Sequence, residues 1–203
     1  MKNYPSIPKE PKPFGELFHV FDKLDGSNLR FEYDPKRGWY KFGTRTRLLD
    51  ENDSVLGRAK PLFLDMFAAS IEETARQKRW QSVVVFAEFY GPRSFAGQHE
   101  PSDIHTLRLF DVAPFKQGIL GPCDFLDLFG HLPIAACIGL FTWDAVFLES
   151  VRSGRLPGIT SEGVVGKRGS GHHLEMVKAK TDDWIRRVRE RYTPAEADKI
   201  ISS

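Results

Sequence analysis

Apolar and polar positions alternate in short runs through the first part of the chain. Leu17 to Asp22 and Leu29 to Tyr33 read as strands, Asp34-Pro35-Lys36-Arg37-Gly38 as a turn, and Trp39 to Gly43 as a third strand. The stretch Phe21-Asp22-Lys23-Leu24-Asp25-Gly26-Ser27-Asn28 therefore puts Lys23 where a strand ends, with Gly26 free to turn tightly. Ala59 to Lys78 switches to helical spacing. Leu62, Phe63, Met66, Phe67 and Ile71 share one side, and Pro61 fits the first turn. Ser82 to Tyr90 is β-branched and aromatic, the pattern of a central strand. A polar loop from Gly91 to His105 leads to another strand, Leu107 to Val112.

The second half predicts short helices over Asp124 to His131 and Trp143 to Arg152, with an apolar strand, Ile134 to Leu140, between them. Gly163 to Arg168 and His173 to Ala179 flank Gly169-Ser170-Gly171, which reads as a hairpin with a glycine turn. Thr181-Asp182-Asp183 starts a helix that runs from Trp184 to Tyr192; Pro194 interrupts it, and Ala195 to Ile201 forms a last one. Strands and helices alternate without regular βαβ units, so the fold class is α+β with mainly antiparallel sheets. The four prolines in Met1 to Gly15 favour an extended arm over residues 1–16.

Length and charge narrow the function classes. At 203 residues the chain has room for one ordinary core and barely for a second small domain. A formal net charge of +2 excludes a wholesale basic surface, so contact with nucleic acid has to rest on a local patch. Cys123 and Cys137 have no metal-ligand spacing and no disulfide framework; they read as buried or half-buried thiols in a reducing, cytoplasmic compartment. No apolar run is long enough to span a bilayer, and the polar N-terminus argues against a secretory signal.

Taken singly, the candidate residues have bland readings. A lysine beside carboxylates in a turn is ordinarily a solvated loop. Lys178 and Lys180 alternate on one strand and point to one face, ordinarily an outer one. Glu88 stands out, because a charge inside the apolar run Val83 to Tyr90 is costly without a partner. The order of the segments changes the picture. After Lys23-Leu24-Asp25-Gly26 come Phe86-Ala87-Glu88-Phe89-Tyr90-Gly91, Leu107-Arg108-Leu109-Phe110-Asp111-Val112, Glu162-Gly163-Val164-Val165-Gly166-Lys167 and Met176-Val177-Lys178-Ala179-Lys180. That ordered set resembles the covalent nucleotidyltransferase superfamily of polynucleotide ligases and mRNA capping enzymes, over roughly Leu17 to Lys180.

The resemblance implies an ATP-grasp-like fold, two mainly antiparallel sheets flanking a nucleotide groove, with residues 17–181 as adenylyltransferase domain and 182–203 as a helical tail. Only 23 residues follow Lys180, too few for the OB-fold that follows this motif in DNA ligases and capping enzymes. It further implies that Lys23 is the nucleophile that becomes bonded to AMP, helped by Lys178 and Lys180 at the α-phosphate. Glu162 would bind Mg²⁺ or Mn²⁺, Lys167 the adenine edge, Phe110 the adenine face and Glu88 the ribose. Asp22, Asn28 and Arg45 complete the implied nucleotide site. Asn28, where DNA ligases and capping enzymes usually carry arginine, and Gly43-Thr44-Arg45-Thr46-Arg47 are similar to the RNA ligase 2 branch. The implied activity is an ATP-dependent RNA ligase sealing RNA 3′-hydroxyl and 5′-phosphate ends. A guanylyltransferase or DNA ligase is the rival within the class. A nucleotide- or RNA-binding module without ligation is the rival outside it. His172 and His173 read as hairpin-tip residues first and RNA contacts second, and Arg186 to Arg191 as a solvated helix face or an RNA contact.

Overall fold

The computed structural model describes residues 4–8 and 15–202, so part of the expected N-terminal arm lies outside the described residues. The chain forms two compact units, each assembled from separate stretches.

The first unit comprises Tyr4, Gly26–Ile134 and Ser170–His173. Its four-stranded sheet has the order β3-β2-β4-β5, from β2 (Ser27–Asp34), β3 (Gly38–Thr44), β4 (Val83–Tyr90) and β5 (Thr106–Pro114), all antiparallel. The period of two divides its residues cleanly. Leu29, Phe31, Val85, Ala87, Phe89, Leu107 and Leu109 are fully buried on one face. A helical segment over residues 56–77 packs on that face. It consists of a 3₁₀ turn (Leu56–Arg58), α1 (Ala59–Phe63), a π-helical turn (Leu64–Ala68) and α2 (Ala69–Gln77). Phe63 stacks on Phe31 with ring centroids 3.8 Å apart. The helix thus begins three residues before the periodicity predicted, because Asp53 accepts from the backbone N–H of Leu56 and starts the turn. The opposite face carries Asn28 laterally paired with Glu88, which in turn pairs with Arg108. Gly26 tolerates no side chain, since a Cβ there would lie 2.3 Å from the Phe89 carbonyl oxygen. The helix α3 is Pro122–Phe129, two residues earlier than expected, with Pro122 filling the first turn.

The second unit comprises residues 5–8, 15–25, 135–169 and 174–202. Its sheet has the order β6-β1-β7-β8, from β1 (Leu17–Lys23), β6 (Cys137–Thr142), β7 (Gly163–Arg168) and β8 (Glu175–Lys180). Phe18, Val20, Val164, Val177 and Ala179 pack against Trp143, Phe147, Leu148 and Val151. The last three lie on α4 (Ala145–Arg152). That helix begins after Trp143, because Asp144 caps it by accepting from the Phe147 N–H. The strand β6 starts three residues later than expected. The β7–β8 connection is six residues long, and no tight glycine turn forms. Thr181 caps α5 (Asp182–Arg191), as the sequence indicates, and α6 (Pro194–Ser202) begins on Pro194 itself, one residue before the expected start.

One expectation is overturned outright. Cys123 and Cys137 are both exposed, the first in the opening turn of α3 and the second on the edge strand β6. Among the described residues, no helix is long and apolar enough to cross a membrane.

Candidate active site

The lysine-bearing face follows from register alone. Lys23 pairs with Gly163, which pairs with Lys180; Phe21 pairs with Val165, which pairs with Lys178; His19 pairs with Lys167. Laterally paired residues point to one side of a sheet, and so do residues two apart on a strand. Lys23, Lys167, Lys178 and Lys180 therefore share the face opposite the apolar core. Gly163 has φ +148, and a Cβ there would sit 2.0 Å from the Ala179 carbonyl oxygen, so only glycine lets β7 and β8 approach here.

Glu162, just before β7, is the centre of that face. Its carboxylate accepts from Lys23 Nζ at 2.8 Å and from Lys180 Nζ at 2.8 Å. It is 5% exposed, so it is not a surface carboxylate. Burial alone would raise its pKa, but the charges of Lys23 and Lys180 and their hydrogen bonds outweigh burial and hold it below the usual carboxylate range. For Lys180 burial wins. It pushes the ammonium below the usual lysine value, with Lys23 adding to the effect and Glu162 opposing it. Lys178 and Lys180 are 3% and 8% exposed, so neither belongs to an outer strand face. Lys178 donates to the Ser202 carbonyl at 3.0 Å and Lys180 to the Ile200 carbonyl at 3.2 Å. These are carbonyls of the last turn of α6, the end where a helix carries partial negative charge. Lys167, also buried, lies 4.9 Å above the Phe21 ring.

Asp22 points away from that face. Both of its carboxylate oxygens accept from Thr160, from the backbone N–H at 3.0 Å and the hydroxyl at 2.9 Å. Burial raises its pKa in spite of those bonds. In this arrangement Asp22 fixes the 160 segment that leads into Glu162.

On the first unit, Asn28 and Glu88 are half-buried and share the polar face of the sheet. A register shift in the β4–β5 pairing, where Phe86 faces Asp111 and Ala87 faces Leu109, makes Phe110 the extra residue of a bulge. Phe110 is half-buried there. Tyr4, which sequence reasoning passed over, packs edge-on against Phe110 (5.2 Å) and Phe86 (5.0 Å) and donates its hydroxyl to Asp111 at 2.5 Å. Burial, then Asp111 and Glu88, raise the Tyr4 pKa well above normal, while Arg45 opposes them, which places Tyr4 among three charged groups of this patch. The buried Arg30 donates to the Arg45 carbonyl at 3.1 Å, an anchor for the Arg45 segment that the sequence did not flag. Arg47 is exposed and paired with Asp53. His172 and His173 are exposed, and Arg186 pairs with Asp183 and Glu190 on the outer side of α5. Among the described residues, no group of three or more His, Cys, Asp or Glu is placed to hold a metal.

No family model matches the chain, and no curated protein matches it. Solved structures do. An archaeal ATP-dependent RNA ligase is similar with a TM-score of 0.69 at 16% identity, over 100% of this chain and 56% of that one. A Naegleria gruberi RNA ligase solved with PPi is similar with a TM-score of 0.63 at 14% identity, over 94% of this chain and 59% of that one. A variant of the Naegleria ligase solved with ATP and Mn has a TM-score of 0.61 at 18% identity, over 88% of this chain and 54% of that one. The chain thus spans a little over half the length of these ligases, and over that span its fold is the one they share.

Proposed function

We propose that the chain is the adenylyltransferase part of an ATP-dependent RNA ligase. The observation that carries this reading is the meeting of Lys23, Glu162 and Lys180, from three separate segments, within 2.8 Å contacts on a buried, lysine-rich face. Lys23 Nζ attacks the α-phosphorus of ATP. A phosphorus–nitrogen bond forms, the bond from the α-phosphorus to the bridging oxygen breaks, and pyrophosphate leaves. Nζ gives up its proton to solvent water and leaves its pair with Glu162 before it attacks. Lys178 and Lys180 bind the α-phosphate oxygens, in the role that the negative end of α6 fills here.

The chemistry of Glu162 fits a hard divalent cation. It is a single ionised carboxylate, the kind of site at which Mg²⁺ takes its remaining ligands from phosphate oxygens and water. When bound, Mg²⁺ or Mn²⁺ would neutralise charge on the departing pyrophosphate. Phe110 is assigned to the adenine face, Lys167 to its edge, Glu88 to the ribose, and Asn28, Arg45 and Asp22 to the remaining nucleotide contacts, Asp22 through the segment it holds. AMP then passes from Lys23 to an RNA 5′-phosphate, and a 3′-hydroxyl displaces it to seal the strand. The compartment that suits such a substrate is the cytoplasm.

The test is incubation with labelled ATP and Mg²⁺ or Mn²⁺. An acid-labile adduct on wild-type protein, absent with Lys23→Ala, is expected. Labelling of Lys23→Ala at the wild-type rate removes Lys23 as nucleophile. Labelling by GTP in place of ATP indicates a guanylyltransferase, and ATP binding without any adduct indicates a binding module. Nicked RNA and nicked DNA then separate the two kinds of ligase.

A further inference from the structure

Trp184 lies four residues beyond the last lysine of the motif, in the first turn of α5, and is 2% exposed. A buried tryptophan is ordinarily core, but its polar edge needs an acceptor. Here the indole N–H donates to Asp25 at 2.6 Å, and Asp25 belongs to the turn directly after Lys23. The face of the same ring carries the Lys180 ammonium, 4.2 Å from a ring centroid. Its backbone N–H donates to the Thr181 hydroxyl, and that hydroxyl donates to the Ser161 carbonyl at 2.8 Å. The Thr181 N–H donates to the Glu162 carbonyl at 3.0 Å. The turn after Lys23, the segment of Glu162 and the end of β8 are thus all tied to one helical turn.

We infer that Trp184 is a positioning residue for the adenylylation step, with its indole N–H as the clasp that fixes the Lys23 turn against Lys180 and Glu162. This inference rests on the proposed role of Lys23. A strand end followed by a glycine turn has little of its own to hold a long side chain in one orientation. Attack on phosphorus needs Nζ in line with the leaving oxygen, and a misplacement of about 1 Å can cost on the order of a hundredfold in rate. Trp184 is assigned no contact with ATP itself and Trp184→Phe keeps the ring under Lys180, so the rate is expected to fall while half-saturating ATP stays close to wild type.

Single-turnover adenylylation of the full chain with labelled ATP tests this. Trp184→Phe keeps a ring over Lys180 and removes the N–H. Asp25→Ala removes the acceptor from the other side, at a half-buried position with little packing to lose, so the test stands even where Trp184→Phe folds poorly. Each variant should slow the rate at saturating ATP on the order of tenfold to a hundredfold with half-saturating ATP unchanged, and the double variant should be no slower than the worse single one. The Trp184 indole proton should resonate downfield in wild-type protein and move in Asp25→Ala. Wild-type rates in Asp25→Ala, or a double variant slowed by the product of the two single effects, overturn the clasp. A rise in half-saturating ATP with the saturated rate intact overturns it too, and makes Trp184 part of nucleotide binding. If wild-type protein forms no adduct, the proposed function itself fails and this inference with it. That outcome is distinct from wild-type labelling that the variants leave untouched.

Discussion

The two sheets follow the same rule and use it for opposite chemistry. Each buries one apolar face under helix and leaves its second face polar. On the sheet β6-β1-β7-β8 the second face carries Lys23, Lys167, Lys178 and Lys180, with Glu162 the carboxylate that joins Lys23 to Lys180. On the sheet β3-β2-β4-β5 it carries Asn28, Arg30, Glu32, Glu88 and Arg108 in near balance, with Phe86, Phe110 and Tyr4 as aromatic surface. An excess of buried ammonium groups is unstable without anions and suits phosphate. A balanced patch with aromatic faces suits a base and a sugar, which need stacking and a few directed hydrogen bonds. One alternation of residues therefore yields a face whose chemistry suits anions on one unit and a face whose chemistry suits a base and a sugar on the other.

The sharpest way to break this contrast is to remove the lysines. Lys178→Met and Lys180→Met should each lower the adenylylation rate on the order of a hundredfold to a thousandfold, the loss seen when one donor to a developing oxyanion is removed. Single-turnover labelling reads it. Wild-type rates in both variants would reduce the lysine face to a structural ion cluster. A smaller effect is expected on the other sheet. Phe110→Ala should weaken ATP binding by about 1–3 kcal/mol, the size of a lost base–aromatic stack, with the saturated rate nearly unchanged. Equilibrium binding of ATP to the folded variant checks it. Unchanged affinity would return Phe110 to its neighbours Tyr4 and Phe86 as ordinary packing.

The alternation of Lys178 and Lys180, the strand end at Lys23 and the charge of Glu88 in an apolar run were all readable in the chain, because strand periodicity is a local property. Which face each set occupies was not, since Lys178 on a strand of either burial has the same spelling. The partners were hidden for the same reason. Asp25 and Trp184 are 159 residues apart, Tyr4 and Asp111 are 107 apart, and no period links either pair. The bulge at Phe110 and the capping of α6 against the lysines come from pairing and docking of whole elements. The cysteine reading failed because short apolar neighbours, as in Ala136-Cys137-Ile138, do not distinguish an edge strand from an interior one.

The smallest expected effect separates the two units by acid. In the first unit, His99 is held between two hydroxyls, Ser27 Oγ at 2.8 Å from Nε2 and Ser94 Oγ at 2.9 Å from Nδ1, and Ser27 adjoins Asn28. Burial lowers its pKa to about 4, with the neighbouring His105 adding to the shift and Asp103 opposing it. The folded value lies below the ordinary 6.5, so the unfolded chain takes up the proton first as pH falls. The contribution of His99 is therefore complete above about 6.5 and is lost progressively towards about 4. Glu162 in the second unit behaves differently. Its folded pKa lies below the ordinary 4.5, so its stabilisation is complete above that value and declines only as pH falls through the lower folded one. Between pH 7 and pH 5 the first unit should thus lose stability, by about 1 kcal/mol after allowance for solvent screening, while the lysine cluster loses none. Protection factors for amide exchange in β2 and β4, compared with those in β1 and β7 at the two pH values, measure this. His99→Gln should flatten the response of β2 and β4 and leave β1 and β7 as they were. Equal losses in both units, or a His99 ring that titrates near 6.5 by NMR, would show that the Ser27–His99–Ser94 contact is too open to hold the imidazole neutral.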